Sequence, residues 1–298
     1  MAFPQAGIFA VGTSSHGYAE LDVVAGADPG AVVHVLSDLA ERETTMGATN
    51  LVVGLRPELW ARVSPDTMPE DLAGFEADVV GDDGFVMPAT QHDIALWFAA
   101  ASYDVVFDAV LDATRSLSGL AVLAQDLRGW TYHRDRDLTG FEDGTENPTL
   151  ARAPSYALVP DGTPGAGGSV LLLQQWEHDP AWLELDHSAQ ELVIGRTKDD
   201  SVELEDKPET AHATRTDQAD FGHILRRNVA YGTVSDHGTV FVGFAAAKSP
   251  LHAMLESMAG VGGPRDALTR YSAPRTGAYY WVPAISDLSR FATPVQDD

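Results

Sequence analysis

The chain has 298 residues, of which 44% are hydrophobic and 21% charged, values that are ordinary for a globular protein. Lys and Arg total 19 against 44 Asp and Glu, and the formal charge of −25 argues against nucleic acid or an anionic membrane surface as a partner. The absence of cysteine excludes disulfides, iron–sulfur clusters and cysteine nucleophiles. Since the length exceeds that of a usual single domain, we expect two domains or one duplicated domain.

The N-terminal residues and the distribution of apolar residues bear on the location of the protein. The N-terminal residues 1–7 lack the charged and apolar regions of a secretory signal, and no run of eighteen apolar residues occurs. We therefore expect a cytoplasmic protein that has no membrane partner.

The first half alternates segments with strand and helix patterns. The predicted strands are 7–12 and 50–55, the predicted helices are 29–43, 57–60 and 103–117, and the other segments are a connector over 81–87, an apolar run over 93–101 and a strand or helix over 119–128. The segment 103–117 is amphipathic because Val106, Val110, Ala113 and Leu117 recur on one face of a helix.

The second half repeats this alternation. Its predicted elements are strands over 170–176, 224–232 and 240–247, a helix over 188–194 that ends at Gly195, and a helix that carries Leu251, Met254, Leu255 and Met258. The run Phe-Ala-Ala-Ala at Phe98 recurs at Phe244, an offset of 244 − 98 = 146, about half the chain. This offset predicts a duplicated domain, and the short spacing of strands and helices favours an α+β or α/β fold.

Residues 140–148, GFEDGTENP, are the densest run of turn formers and carboxylates in the chain. Gly140, Gly144 and Pro148 allow a tight, rigid backbone that can approach a bound group closely, and Asp143 lies between the two bends as a hydrogen-bond acceptor. On conformational grounds alone, such a segment is more often a solvated turn.

Four segments in the order 138–148 (LTGFEDGTENP), 194–198 (IGRTK), 209–215 (ETAHATR) and 224–232 (ILRRNVAYG) closely resemble the motifs of the dye-decolourising peroxidases, a haem-dependent family. The resemblance covers most of the chain. It implies an α+β fold of two duplicated ferredoxin-like halves, each an antiparallel sheet with peripheral helices. We place these halves at residues 1–139 and 140–298, with the cofactor between sheet and helices of the second half.

The resemblance also implies one haem b per chain, with iron ligated by His212. The ligand must be His, Tyr or Met because the chain has no cysteine. We expect His133 and His223 to be solvated or hydrogen-bonded within the protein, and the remaining histidines not to be ligands: His16, His34, His92, His178, His187, His237 and His252. Asp266 is a candidate for the carboxylate that orients the His212 ring.

Three residues are implied to act on peroxide. Asp143 takes the place of the family's distal Asp in Gly-x-x-Asp-Gly, and Arg226 with Asn228 resembles its distal Arg and Asn. Strand alternation sends Arg226 and Asn228 to one face and Arg227 to the other, where we expect a basic strand edge at an acidic surface.

Arg226 is also expected to contact the cofactor. Arg196 and Asn147 are expected near the haem propionates, where a cation offsets a buried carboxylate.

The implied function is that of a haem peroxidase of the bacterial B (P) class, which reduces hydrogen peroxide and oxidises dyes, phenols or other bulky aromatic donors. Tyr279, Tyr280 and Trp281 are candidates for an electron relay at the surface by their clustering alone, and core packing explains them better. Ferredoxin-like sheets leave edges that partners cover, so we also expect a homo-oligomer. The tail at residues 294–298 is too short and acidic to resemble a signal for loading into a protein compartment.

Two alternatives remain open at this point. A haem-handling protein without turnover needs His212 and propionate partners, but it does not need Asp143 and Arg226. A regulatory ferredoxin-like domain without haem would make the GFEDGTENP segment accidental.

Overall fold

The structure, a computed structural model, describes residues 2–46, 49–133 and 136–294. The elements of the first half are β1 (Ser15–Val23), α1 (Pro29–Met46), β2 (Asn50–Leu55), α2 (Pro57–Ala61), β3 (Val79–Val80), β4 (Val86–Met87), β5 (Ile94–Ala100), α3 (Tyr103–Ser116) and β6 (Ala121–Trp130). Those of the second half are α4 (Ala153–Ala157), β7 (Ser169–His178), α5 (His187–Ile194), α6 (His212–Arg215), α7 (Gln218–Phe221), β8 (Leu225–Arg226), β9 (Val229–Gly232), β10 (His237–Ala245), α8 (Lys248–Ala259), β11 (Ser272–Pro274), β12 (Ala278–Val282) and α9 (Ile285–Leu288).

Both halves have the ferredoxin-like strand order. The first half has the order β6-β1-β5-β2 and the second β12-β7-β10-β9, all antiparallel. In each half the fourth strand lies beside the first, and the third lies between the first and the second. The α+β class and the two ferredoxin-like halves are thus confirmed.

The two sheets are joined at both sides, so the strand pairing closes on itself. β12 pairs with β2 at Trp281, and β6 pairs with β9 at Gly129 and Trp130. The sheet edges on which the homo-oligomer prediction rested are therefore paired in part within the chain. The oligomer itself stays a prediction.

Closure creates two cores on opposite faces of the strands. One face packs against the helices, and the other encloses an interior where Trp97 stacks on Tyr18, His16 and Phe244. Polar groups also lie there, because Tyr280 donates a 2.5 Å hydrogen bond to Glu20 and burial raises the pKa of Glu20.

The predicted helices over 29–43, 103–117 and 188–194 are confirmed, but the first predicted strand is wrong. Residues 6–9 form one turn of 3-10 helix, and the first strand is β1. β1 is buried on both faces, with His16, Tyr18 and Glu20 on the interior side and Ala19 and Leu21 in the core under the helices. Alternation predicts that the polar face of a strand lies toward solvent, whereas here the polar face is buried.

The 146-residue offset relates equivalent strands, since Phe98 lies in β5 and Phe244 in β10, the third strands of their halves. It does not relate equivalent faces. Phe98 packs against the helices, whereas Phe244 packs in the interior. Because side chains alternate between the two faces of a strand, the repeated Phe-Ala-Ala-Ala runs are shifted by one position from structurally equivalent residues.

Burial decides two other interpretations. Tyr279, Tyr280 and Trp281 are each 0% exposed, so core packing, the better explanation of these residues, is confirmed and a surface relay is excluded. Arg227 does not form a solvated strand edge: its guanidinium lies 5.1 Å from the centre of the Trp97 ring and donates to the Ile8 carbonyl at 3.0 Å. Within the described residues, no helix has the length and apolar character needed to cross a bilayer.

The interior predicts a pH dependence of stability. Burial, and secondarily the charge of Arg227, lowers the pKa of His16 from 6.5 to about 4. Between these two pKa values, His16 binds a proton in the unfolded chain but not in the folded protein. The contribution of His16 to the free energy of unfolding is therefore complete above pH 6.5 and is lost as pH falls toward 4. We expect His16 to account for a loss of roughly 2 kcal/mol in the free energy of unfolding between pH 6.5 and pH 5.

Denaturant titrations of the wild type and of His16→Gln at several pH values measure this contribution. Other buried carboxyl groups and histidines titrate in both proteins and cancel in the difference. Parallel pH curves for the two proteins would contradict the prediction.

Candidate active site

A cavity of about 860 Å³, its mouth included, lies between the outer face of the second-half sheet and the helices α6 and α8. The sheet and α8 give it an apolar lining of Leu172, Phe241, Leu251, Met254, Leu255 and Met258. Apolar side chains combined with polar groups such as Asp143, His212 and Arg226 are typical of a ligand or cofactor site.

Residues 136–144 form the loop at one end of the cavity. Arg136 fixes this loop, because its guanidinium donates to the carbonyls of Gly140 (2.7 Å) and Lys198 (2.8 Å). Gly140 and Gly144 have φ of 87° and 72°, a left-handed backbone that favours glycine. The two bends expected around Asp143 are therefore present.

Asp143, Arg226 and Asn228 line the cavity together. Asn228 donates to Asp143 Oδ1 at 3.0 Å, and its own Oδ1 accepts from the Val242 amide at 3.1 Å. The amide orientation of Asn228 is thereby fixed by the backbone of β10. Arg226 Nε is buried without a hydrogen-bond partner among the described residues, so the guanidinium is available to a bound group.

His212 begins α6 and lines the same cavity. Its Nδ1 lies 2.7 Å from Oδ2 of Asp266, which is 0% exposed and whose Oδ1 accepts from the Leu268 amide at 2.8 Å. A carboxylate partner places the proton on Nδ1 and leaves the Nε2 lone pair free. The predicted His212–Asp266 pair is confirmed, and it is the arrangement that orients metal-binding histidines.

Arg196 and Asn147 lie beside the cavity with partners of their own. Arg196 forms ion pairs with Glu146 (2.7 Å) and Glu203 (3.2 Å) and lines a second opening of about 520 Å³ that Asp143 also lines. Asn147 binds the backbone of Arg226 through both amide atoms. Their expected contacts with propionates stay predictions.

Sequence reasoning missed Asp137, which borders the cavity together with Asp143. Burial, opposed by hydrogen bonds from Thr139 and reinforced by the charge of Asp143, raises the pKa of Asp137 to about 6. The only signal in the sequence was the Asp-x-Thr spacing, which indicates a local turn and not a site.

His178, which we expected to have no role at an iron site, also lines the cavity, at the end of β7. Its Nε2 lies 3.1 Å from Thr239 Oγ1, and burial lowers its pKa to about 4. A neutral, hydrogen-bonded imidazole fits a wall residue of an apolar cavity. Its place could not be read from the sequence because no ligand-type residue lies near it at strand spacing.

The residues present fit a haem. The cavity combines apolar walls with a histidine whose Nδ1 contacts a buried carboxylate and with an arginine whose buried Nε has no hydrogen-bond partner among the described residues. The fold and the site thus define an α+β protein of the haem-binding class, with an acid and a cation at the same cavity.

Comparisons with known proteins agree with this class. Residues 5–131 match the family description "Dyp-type peroxidase, N-terminal" and residues 134–287 match "Dyp-type peroxidase, C-terminal". A dye-decolorizing peroxidase from Rhodococcus erythropolis is 31% identical over 277 residues, which cover 87% of this chain and 80% of the relative. One from Mycolicibacterium paratuberculosis is 33% identical over 250 residues, covering 80% and 70%.

Among solved structures, DyPB from Rhodococcus jostii RHA1 superposes with a TM-score of 0.86 at 32% identity, covering 96% of this chain and 97% of that chain. A variant of the R. jostii protein was solved in complex with haem and superposes with a TM-score of 0.87 at 31% identity, covering 96% and 97%. The chain therefore belongs to the Dyp-type peroxidase family, and its enzyme class is that of a dye-decolorizing haem peroxidase.

We expect His212→Ala to give a folded protein that retains little haem, because no other described residue combines a free imidazole nitrogen with a buried carboxylate partner at this cavity. Absorbance in the Soret region after gel filtration, together with circular dichroism, measures both properties. His187→Ala, an exposed histidine, is the matched control and should retain haem. Full haem retention with an unchanged ligand-field spectrum in His212→Ala would show that the axial ligand is another residue.

Proposed function

We propose that this chain binds one haem b through Nε2 of His212, reduces hydrogen peroxide, and oxidises dyes, phenols or other bulky aromatic donors. The observation that carries the proposal is the content of one cavity. A carboxylate-backed histidine, an acid held by Asn228 and an unpartnered guanidinium all line it. The R. jostii structures with haem support the choice of cofactor.

The bound haem supplies the redox chemistry that accepts two oxidising equivalents from peroxide. The residues of the chain hold and move the protons. Asp266 keeps the proton on Nδ1 of His212, so that Nε2 presents its lone pair and the ring cannot rotate.

Asp143 is the general base and then the general acid. Its carboxylate takes a proton from one oxygen of hydrogen peroxide and returns it to the oxygen that departs. Asn228 donates to Oδ1 of Asp143 and holds the carboxylate in one orientation, which leaves Oδ2 for the proton transfer. The proton must be accepted first, because a carboxylate carries no proton to return until it has taken one.

Arg226 stabilises the negative charge that develops on the departing oxygen. A guanidinium cannot lose its proton in a protein, so this charge is permanent. Fixed charges in a site that excludes water are among the largest contributions to catalysis. The Nε of Arg226, which has no partner among the residues that the structure describes, supports this role.

The 32% identity and the near-complete overlap with R. jostii DyPB support assignment of this chain to the B class. Arg196 is proposed to meet a haem propionate at the second opening, which requires the propionate to share it with Glu146 or replace that carboxylate. The domain division at residues 139 and 140, the homo-oligomer and the cytoplasmic location stay predictions, to be tested by limited proteolysis, light scattering and cell fractionation.

A haem-handling protein without turnover is the second candidate. Such a protein needs the axial histidine and the apolar walls, but it has no use for an acid that is oriented by a dedicated amide. The Asp143–Asn228 hydrogen bond, itself fixed by the backbone of β10, therefore favours the peroxidase.

We expect Arg226→Leu to slow the reaction of the holoprotein with peroxide at least as strongly as Asp143→Ala, with haem content kept in both. Loss of a general base costs roughly 10²–10⁴ in rate, and a water molecule in the cavity can replace part of its action. No water replaces a fixed positive charge beside the departing oxygen. Stopped-flow absorbance after mixing with peroxide at several pH values measures both rates.

His187→Ala, an exposed variant remote from the cavity, controls for handling and haem loading. A fast Arg226→Leu beside an inactive Asp143→Ala would show that proton transfer, and not charge stabilisation, limits the reaction. A wild type that binds haem but does not react with peroxide would favour the haem-handling alternative.

A further inference from the structure

We propose that Asn147 is a positioning residue for Arg226: it binds the backbone of Arg226 and thereby places the guanidinium in the cavity. This inference deepens the proposed function and rests on it. It assigns to the Asn of the GFEDGTENP segment a role toward the protein backbone instead of toward the cofactor.

Asn147 makes two hydrogen bonds to one residue. Its Nδ2 donates to the carbonyl oxygen of Arg226 at 2.8 Å, and its Oδ1 accepts from the Arg226 amide at 2.8 Å. This pair of bonds reproduces what a neighbouring strand would make. These two bonds use the donor and the acceptor on one edge of the Asn147 side-chain amide.

The backbone of Arg226 needs such a partner because of its place in the sheet. β8 pairs with β10 on one side, with Arg226 opposite Gly243, and the next amide, that of Arg227, donates to the Val242 carbonyl at 2.8 Å. Since the backbone groups of successive strand residues point to opposite sides, those of Arg226 point away from β10. Without Asn147 they would lie unpaired at a partly buried edge.

The side chain of Arg226 has no other anchor. Its Nε is buried without a partner, and among the described residues no carboxylate or carbonyl binds its guanidinium. The position of this charge is therefore set by the backbone, which the pairing of β8 with β10, the bond from the Arg227 amide to Val242 and the side-chain amide of Asn147 hold in place. A shift of the backbone moves the charge directly.

Gly144 makes the geometry of Asn147 possible. The backbone amide of Asn147 donates to the Gly144 carbonyl at 2.8 Å, and this bond closes a turn of four residues. A Cβ on Gly144 would lie 2.7 Å from Nδ2 of Asn147, too close for any real contact. With φ of 72° as well, this position excludes other residues for two reasons.

A double-mutant cycle on the holoprotein tests the inference. Asn147→Ala, Arg226→Leu and the double variant are compared by two measurements: the dissociation constant of fluoride, an anion that reports the positive charge near the iron, and the rate of reaction with peroxide. Asn147→Asp, of equal shape, keeps an acceptor for the Arg226 amide but sets a carboxylate oxygen against the Arg226 carbonyl.

We expect Asn147→Ala to weaken fluoride binding and to slow the peroxide reaction by at least about tenfold each, since a displacement of 1 Å can cost 10²-fold. In the Arg226→Leu background, Asn147→Ala should change neither fluoride binding nor the rate with peroxide, because the charge of Arg226 is absent there. Asn147→Asp and Gly144→Ala should change both quantities in the same direction. Asn50→Ala, which removes an Asn with a 3.5 Å contact to a carbonyl in the first half, should leave both unchanged.

Equal losses in both backgrounds would overturn the inference, because Asn147 would then act on the ligand or on the fold and not through Arg226. Wild-type values in Asn147→Ala would overturn it too. If Asn147→Ala does not fold or retain haem, wild-type values in Asn147→Asp have the same meaning.

Hydrogen exchange provides a readout that does not depend on turnover. In the wild-type holoprotein the Arg226 amide should be protected, and peptides that cover residues 224–228 should exchange faster in Asn147→Ala and Gly144→Ala. An unchanged exchange rate would contradict the proposal that Asn147 holds the backbone of Arg226, even if the variants were less active. Failure of the proposed function has a different signature, namely a wild-type protein that lacks haem or does not react with peroxide while this protection is present.

Discussion

Hydrogen bonds between the loop at residues 136–148 and the segment at residues 225–228 hold the reactive side of the cavity together. Asp143 is bound by the side chain of Asn228, and Asn147 binds the backbone of Arg226. β8 has two residues and the loop has no regular structure, so both segments depend on contacts with other parts of the chain. Arg136 ties the loop to the Lys198 carbonyl, β10 pairs with β8, and the bonds between the two segments fix the acid and the cation relative to each other.

The cavity exists because the two halves differ in one connection. In the first half, the 18-residue helix α1 follows the first strand and packs against the sheet. In the second half, the corresponding connection contains α5 of 8 residues and α6 and α7 of 4 residues each. Short helices cannot cover the sheet as a long one does, and the uncovered area of β7 and β10 becomes the wall of the cavity. His212 enters at the start of one of these short helices.

Charge is distributed unevenly between the surface and the interior. The chain carries a formal charge of −25, yet Arg226 borders the cavity and Arg227 lies over Trp97 in the closed interior. Burial lowers the pKa of Arg227, which shows that its environment opposes the charge. Two adjacent arginines thus face two different compartments because strand side chains alternate, and only Arg226 is left without a protein partner for its guanidinium.

The sequence by itself determined the alternation of strands and helices, the duplication and the four motif segments, because these depend on local periodicity, on turn residues and on the identity of single side chains. The resemblance of those segments to a known family, and not the spacing of the elements, separated α+β from α/β. The sequence also indicated that Arg226 and Asn228 share a face, since strand alternation is local. It did not determine β1, whose interior face is polar, nor the burial of Arg227. The tertiary structure decided those, as well as the place of Asp137 and the partner of Asn147. Contacts between residues tens of positions apart depend on how the two sheets close and how the short helices pack, and no local pattern in the chain specifies either.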